Sequence, residues 1–118
     1  MTKLKIKNAL ISLTDKNKIE IVAKKLKELD INIISTGGTA KYLKSHSIDV
    51  IDITEITNFP EILDGRVKSL HPKIFGGILY RRNNENDLKT IDTLKIESID
   101  LVIVNLYKFE EVRKELSP

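Results

Sequence analysis

Two short apolar blocks limit what this chain can become. Leu101-Val102-Ile103-Val104 is the most apolar stretch, and Ile31-Asn32-Ile33-Ile34 is close to it. Blocks of four residues are too short for a buried helix. Apolar side chains at consecutive positions suit a strand covered on both faces, as in a parallel sheet. The rest of the chain supplies what such a sheet needs. A strand is predicted over 4–13, with Ala9-Leu10-Ile11 as its buried centre. Asn17 then reads as a helix cap, with Glu20 completing a capping box. Ile19, Val22, Leu26 and Leu29 recur at helical spacing, while Lys24, Lys25, Lys27 and Glu28 face outward. After the strand at 31–34 come a helix over 39–46, a strand over 48–53 and a compact segment over 54–64, broken by Pro60. A helix over 84–95 presents Leu88, Ile91 and Leu94 on one side, a strand covers 99–106, and 109–116 reads as helical. Strands alternating with helices imply βαβ units. The fold class is therefore α/β, a doubly wound and mostly parallel sheet with helices on both faces.

With 118 residues the chain makes one domain. Apolar runs of a few residues exclude a membrane-spanning helix. The start, Met1-Thr2-Lys3-Leu4-Lys5-Ile6-Lys7, alternates charge with apolar residues, unlike a signal peptide, and a cytoplasmic address is the default. The absence of cysteine removes disulfides and thiolate metal sites, and two isolated histidines do not make a zinc site. A net charge of +3 is spread along the chain among acids, and aromatics are 5% of residues. A base-stacking nucleic-acid platform is disfavoured on that ground. A phosphorylated small molecule suits the same charge bias better.

The five glycines fall in three short segments. Gly37 and Gly38 lie in Ser35-Thr36-Gly37-Gly38-Thr39, straight after an apolar strand. Gly65 opens Gly65-Arg66-Val67-Lys68-Ser69-Leu70-His71-Pro72, and Gly76-Gly77 follow it. Glycine is costly in regular structure, so each place marks a sharp turn or a close approach to a ligand. Backbone N–H groups of Thr36-Gly37-Gly38-Thr39 at a helix start would cradle a phosphate or carboxylate, assisted by the two threonine hydroxyls. The alternative is a tight strand-to-helix turn that binds nothing. Thr14-Asp15-Lys16, at the end of the first strand, would add an ammonium to the same anion, with Thr14 or Asp15 also serving as a helix cap. Arg66 and Lys68 stand two apart and point to one side of an extended backbone. Arg66 suits bidentate contacts and Lys68 suits a developing oxyanion; the alternative is two solvated charges. Ser69 and His71 read as caps ahead of Pro72, which fits a first helical position; for His71 a catalytic role is the lesser alternative. Asn105-Leu106-Tyr107 follows the most buried strand. There Asn105 could read an amide or a purine edge, and Tyr107 could relay a proton or be a core ring with one satisfied hydroxyl.

In this order, these segments resemble the N-terminal domain of the bifunctional AICAR transformylase/IMP cyclohydrolase family. The matching stretches are Ala9-Leu10-Ile11-Ser12-Leu13-Thr14-Asp15-Lys16, Ser35-Thr36-Gly37-Gly38-Thr39-Ala40, Gly65-Arg66-Val67-Lys68-Ser69-Leu70-His71-Pro72 and Asn105-Leu106-Tyr107. The run from Gly65 to Pro72 is the most specific of them. The resemblance covers essentially the whole chain and implies a methylglyoxal-synthase-like fold. It also implies closure of formylated aminoimidazole carboxamide ribotide (FAICAR) to IMP with loss of water, without a cofactor and without metal. By that resemblance Thr14, Asp15, Lys16, Thr36, Gly37, Gly38 and Thr39 hold the phosphate side. Arg66, Val67, Lys68 and Ser69, with Val104 and Asn105, surround ribose and base, and Lys68 and Tyr107 are catalytic. The expected partners are a purine nucleotide and a second copy of the chain, with neither nucleic acid nor membrane.

Ser69 replaces a usual threonine, Phe75 a frequent histidine, and Lys108 a proline. The family continues into an isoleucine-aspartate-isoleucine-glycine-glycine segment, a second catalytic lysine and a transformylase domain. Residues 1–118 are thus expected to be a cyclohydrolase domain incomplete at its C-terminal end, binding nucleotide with little or no turnover. A competing reading is a regulatory domain of the same fold that binds a phosphorylated effector, but it gives the 65–72 and 105–107 motifs no reason to occur together. Methylglyoxal synthase is disfavoured, because no glycine-glycine-aspartate-glutamine stretch is present.

Overall fold

A computed structural model describes residues 5–13, 16–60 and 71–105. The elements run β1 (Asn8–Ser12), α1 (Ile19–Glu28), β2 (Asn32–Ser35), α2 (Gly37–Ser45), β3 (Ile51–Asp52), α3 (Ile53–Thr57), α4 (Pro72–Leu79), α5 (Glu85–Thr93) and β4 (Leu101–Val104). The strands form one sheet in the order β3-β2-β1-β4, and every pairing is parallel. The chain leaves β1 toward β2 and β3, then crosses back to place β4 on the other side of β1. A crevice therefore opens beyond the carboxyl end of β1, where its two neighbours depart in opposite directions.

Alternate residues of β1 serve opposite layers. Ala9 and Ile11, with Ile33 of β2, pack against Ile19, Ala23 and Leu26 of α1 and Ala40 and Leu43 of α2. Leu10 and Ile34 face the other way and join Ile53 of α3, Ile74 of α4 and Ile99. The doubly wound α/β expectation holds, with Ile33 and Ile34 of β2 buried on opposite faces, but the expectation that 101–104 is the most buried strand does not hold, since no residue of β4 is buried. Strand β4 is half open: Val102 and Val104 are 41% and 59% exposed, while Leu101 and Ile103 lean on the first core.

Several local expectations need correction. The N-cap of α1 is Lys18 in the left-handed region (φ 65°), with no side-chain cap. Glu20 does not complete a box; it accepts a hydrogen bond from the Tyr42 hydroxyl at 2.7 Å, tying α1 to α2. That bond lowers the Glu20 carboxyl below its usual range. The buried stripe of α1 uses Ala23, not Val22 or Leu29, which stay exposed. Of the strand expected over 48–53, only Ile51 and Asp52 pair with β2, although Ile48 and Val50 are buried beside it. Leu88 and Leu94 are exposed, and no residue of α5 is buried. The helix expected over 109–116 lies outside the described residues.

Gly76 and Gly77 mark no turn. They sit inside α4, where the helix closes on the chain entering β4. A Cβ on Gly77 would run into the Glu97 carbonyl oxygen and lie 3.2 Å from Ile99 Cγ1. Just beyond, Arg82 spends its guanidinium on carbonyls: Nη1 donates to Ile78 (2.9 Å) and Tyr80 (2.8 Å), and Nη2 to Gly77 (3.1 Å) and Ile99 (2.8 Å). Nη2 also lies 3.4 Å from Asp100 Oδ1. Asp100 Oδ2 accepts from the N–H groups of Lys7 and Asn8 and from the Ser98 hydroxyl. Asn8 in turn donates to Ser98 O and accepts from Asn32. The amino ends of β1, β2 and β4 are thereby locked together. Burial alone would raise the Asp100 carboxyl, but these donors outweigh it and hold it below the usual 3.8.

Gly77→Ala should cost about 1–3 kcal/mol in urea unfolding, through overpacking against backbone. Gly76→Ala should cost less, because its contact is the tip of Ile96 at 3.2 Å. Equal and negligible costs would refute the close approach.

A depressed carboxylate stabilises the fold above its unfolded-state pKa and loses that contribution as acid protonates it. Asp100→Asn should therefore lower stability by about 2 kcal/mol at neutral pH. The gap from wild type should shrink as pH falls below about 4. A gap independent of pH between 7 and 2 would show that the charge is immaterial.

Candidate functional site

At the carboxyl ends the sheet register lines up Thr36, Ser12 and Val104. Ile11 pairs with Ser35 and Ser12 with Val104. Ser12 Oγ and Thr36 Oγ1 lie 3.0 Å apart, and Ser35 Oγ donates to Ile11 O at 2.9 Å. Asn105 follows Val104 on the same row, and its side chain is half-buried.

Helix α2 starts on this row. Thr36 is its N-cap, in extended backbone, and is of a type that commonly caps, yet it makes no side-chain cap bond. Its hydroxyl is turned to Ser12 instead. Helix α1 likewise lacks a side-chain cap, whereas the contrast with the other three helices is direct. Asp52 caps α3 by accepting from Thr54 N, His71 caps α4 by accepting from Lys73 N, and Asn84 caps α5 by accepting from Asp87 N. The first turn of α2, Gly37-Gly38-Thr39, keeps amide donors that the helix itself cannot use.

Lys16 lies over that turn. A Cβ built on Gly38 would be 3.5 Å from Lys16 Cε and 3.6 Å from Nζ. The ammonium donates to Leu13 O at 3.1 Å. Among the described residues it has no carboxylate partner within ion-pair distance. A cation at the positive end of a helix is electrostatically unfavourable until an anion joins both. Gly38 is exposed and Gly37 half-exposed, so the approach is open. The arrangement can take a phosphate or carboxylate.

The threonines differ from the glycines. Thr39 is 1% exposed, and its Oγ1 accepts from Leu13 N at 3.1 Å and donates to Leu13 O at 3.2 Å. Thr36 is buried as well. Lys16, Thr36, Gly37, Gly38 and Thr39 are thus brought together, with Val104 and Asn105 on the same edge of the sheet. Thr14, Asp15, Arg66, Val67, Lys68, Ser69 and Tyr107 lie outside the described residues. His71 takes the capping role. Ser12 was given no role from sequence; its signal was a hydroxyl at the last position of a buried strand.

A family model described as MGS-like domain matches residues 18–117. The chain is 60% identical over 107 residues to the bifunctional purine biosynthesis protein PurH of Petrotoga mobilis, a match covering 91% of this chain and 21% of that protein. Against PurH of Caldicellulosiruptor saccharolyticus the identity is 58% over 105 residues, 89% of this chain and 20% of the relative. PurH of Clostridioides difficile is 56% identical over 108 residues, 92% and 21%. The chain spans about a fifth of the length of these relatives. The crystal structure of ForH superposes with a TM-score of 0.78 at 35% identity, covering 87% of this chain and 54% of that one.

Gly38→Val should weaken binding of inorganic phosphate about tenfold or more, by crowding Lys16 off the helix end and losing one or more charge-assisted bonds. Gly38→Ala, whose Cβ meets Lys16 at ordinary contact distance, should leave the melting temperature near that of wild type. Undiminished phosphate binding by Gly38→Val, read by calorimetry, would place the anion elsewhere.

Proposed function

This chain belongs to the MGS-like domain family, and we propose that it is an IMP cyclohydrolase domain, closing FAICAR to IMP with loss of water. The observation that carries the reading is the Lys16 ammonium poised over an uncapped α2 N-terminus, in a chain 60% identical to a PurH over 107 residues. Residues 1–118 act in this proposal as one cyclohydrolase domain.

In this reading the nucleotide phosphate sits at Gly37-Gly38-Thr39 beside Lys16, with Thr36, Thr14 and Asp15 adjoining. Arg66, Val67, Lys68, Ser69, Val104 and Asn105 surround the ribose and base. In the reaction the carboxamide nitrogen attacks the formyl carbon, forming a C–N bond and pushing an electron pair onto the formyl oxygen. That attack closes the ring; the oxygen then takes up one proton lost from the carboxamide nitrogen and one lost from the formamide nitrogen, and leaves as water as a C=N bond forms to the formamide nitrogen. An amide nitrogen is a weak nucleophile, so the barrier falls when the oxyanion is stabilised and protons are moved in place. A Lys68 ammonium meets the first need and a Tyr107 hydroxyl the second. The formyl group arrives on the substrate, so the reaction calls for no cofactor. A homodimer in the cytoplasm completes the proposal. The open face of edge strand β4 supports the pairing, and the biosynthetic role named for the relatives supports the location. No helix among the described residues is long and apolar enough to cross a membrane.

IMP titrated calorimetrically into the 118-residue protein should bind in the micromolar-to-millimolar range, more tightly than inorganic phosphate. In any form of the protein that turns over, Lys68→Met should cut ring closure on the order of 100-fold. Unchanged turnover would remove Lys68 from the chemistry, and phosphate binding with no preference for IMP would favour an effector-binding domain.

A further inference from the structure

The Thr39 hydroxyl has both of its useful contacts on one peptide. It accepts from the N–H of Leu13 and donates its only proton to the Leu13 carbonyl. The same carbonyl accepts from Lys16 Nζ at 3.1 Å. A phosphate dianion needs donors, and a Thr39 proton already given to Leu13 is not on offer to it. Thr39 is also buried to 1% exposure, whereas Gly38 beside it is open.

We infer that Thr39 is a positioning residue for the anion site: it fixes the Leu13 peptide, whose carbonyl holds the Lys16 ammonium over the α2 N-terminus. This rests on the phosphate-binding reading above, and it changes the part expected for one threonine. The backbone of α2 and Lys16 contact the anion, and the Thr39 side chain sets where Lys16 stands. Serine keeps the hydroxyl and so keeps the relay. Valine keeps the shape and loses it. Because the effect travels through Lys16, it disappears when Lys16 cannot carry charge.

The test pairs apo and ligand-bound measurements on the 118-residue protein. In the apo protein, Thr39→Val should speed exchange of the Leu13 amide and shift the Lys16 ammonium signal in NMR, and Thr39→Ser should do neither. In titrations with inorganic phosphate and IMP, Thr39→Val should weaken both about tenfold, with Thr39→Ser within about twofold of wild type. In a Lys16→Met background, Thr39→Val should add no further loss. Independent, multiplying losses would show that Thr39 touches the anion itself and would overturn the inference, as would a silent Thr39→Val. Should that variant fail to fold, the wild-type Thr39 hydroxyl proton decides. Slow exchange that phosphate leaves in place supports the relay, and transfer of that proton to phosphate refutes it. Wild type that binds neither probe, yet shows the Thr39-dependent Lys16 signal, refutes the nucleotide reading while supporting the relay.

Discussion

Everything in this fold is referenced to β1, which is hydrogen-bonded on both edges and covered on both faces. A five-residue strand in that position fixes its neighbours' register, because a slip of one residue would exchange Leu10 for Ile11 between two cores of different shape. The two ends of β1 are then treated differently. At the amino end, Asp100, Asn8 and Asn32 saturate one another and the adjoining backbone. At the carboxyl end Ser35 ties β2 to β1, and Thr36 and Thr39 tie the start of α2 to Ser12 and Leu13, yet the amides of the α2 first turn are left unused by the helix beside the Lys16 ammonium. Rigidity is supplied by hydroxyls, and in the proposed site binding falls to groups carrying positive charge.

That division bears on what a small anion would meet. The donors are held in place before it arrives, so little ordering of the protein opposes binding. The unfavourable approach of an ammonium to a helix N-terminus is maintained by the fold, and the anion relieves it. The neighbouring helix α3 shows the contrary solution, since its own Asp52 carboxylate occupies the corresponding position. Two helices that begin at adjacent strand ends thus differ, one capped by its own carboxylate and one without a side-chain cap, which the proposed function gives to a ligand.

Much of this could be read from residues alone, and the failures have physical causes. The apolar blocks of β2 and β4 pointed to the parallel sheet, although double burial explains only Ile33 and Ile34 of β2, and β4 leaves Val102 and Val104 exposed. The Gly37-Gly38 pair gave the open helix start because strand, glycine and helix are adjacent in sequence. Glu20 was misjudged because its partner, Tyr42, is 22 residues away and outbids a local cap. Gly76-Gly77 read as a turn or a close approach to a ligand because nothing nearby in sequence announces that Glu97 and Ile99 press against Gly77, and Ile96 against Gly76. Thr39 reads as a ligand hydroxyl from its place in the motif, and residue type does not reveal that its Oγ1 bonds the Leu13 peptide. The Arg82 and Asp100 clamp was missed for the same reason, as its carbonyl partners come from elements that meet only on folding.

Helix α5 illustrates a different kind of freedom. Its residues contribute nothing buried, and what holds it is at its N-terminal end: the Asn84 cap and the bidentate pair of Arg81 with Asp87. A parallel crossover must carry the chain from the carboxyl end of one strand back to the amino end of the next, and α5 lies in the connection that does so between β3 and β4. The fold therefore asks this stretch for reach more than for particular side chains, and replacing its exposed residues removes little buried contact from the sheet.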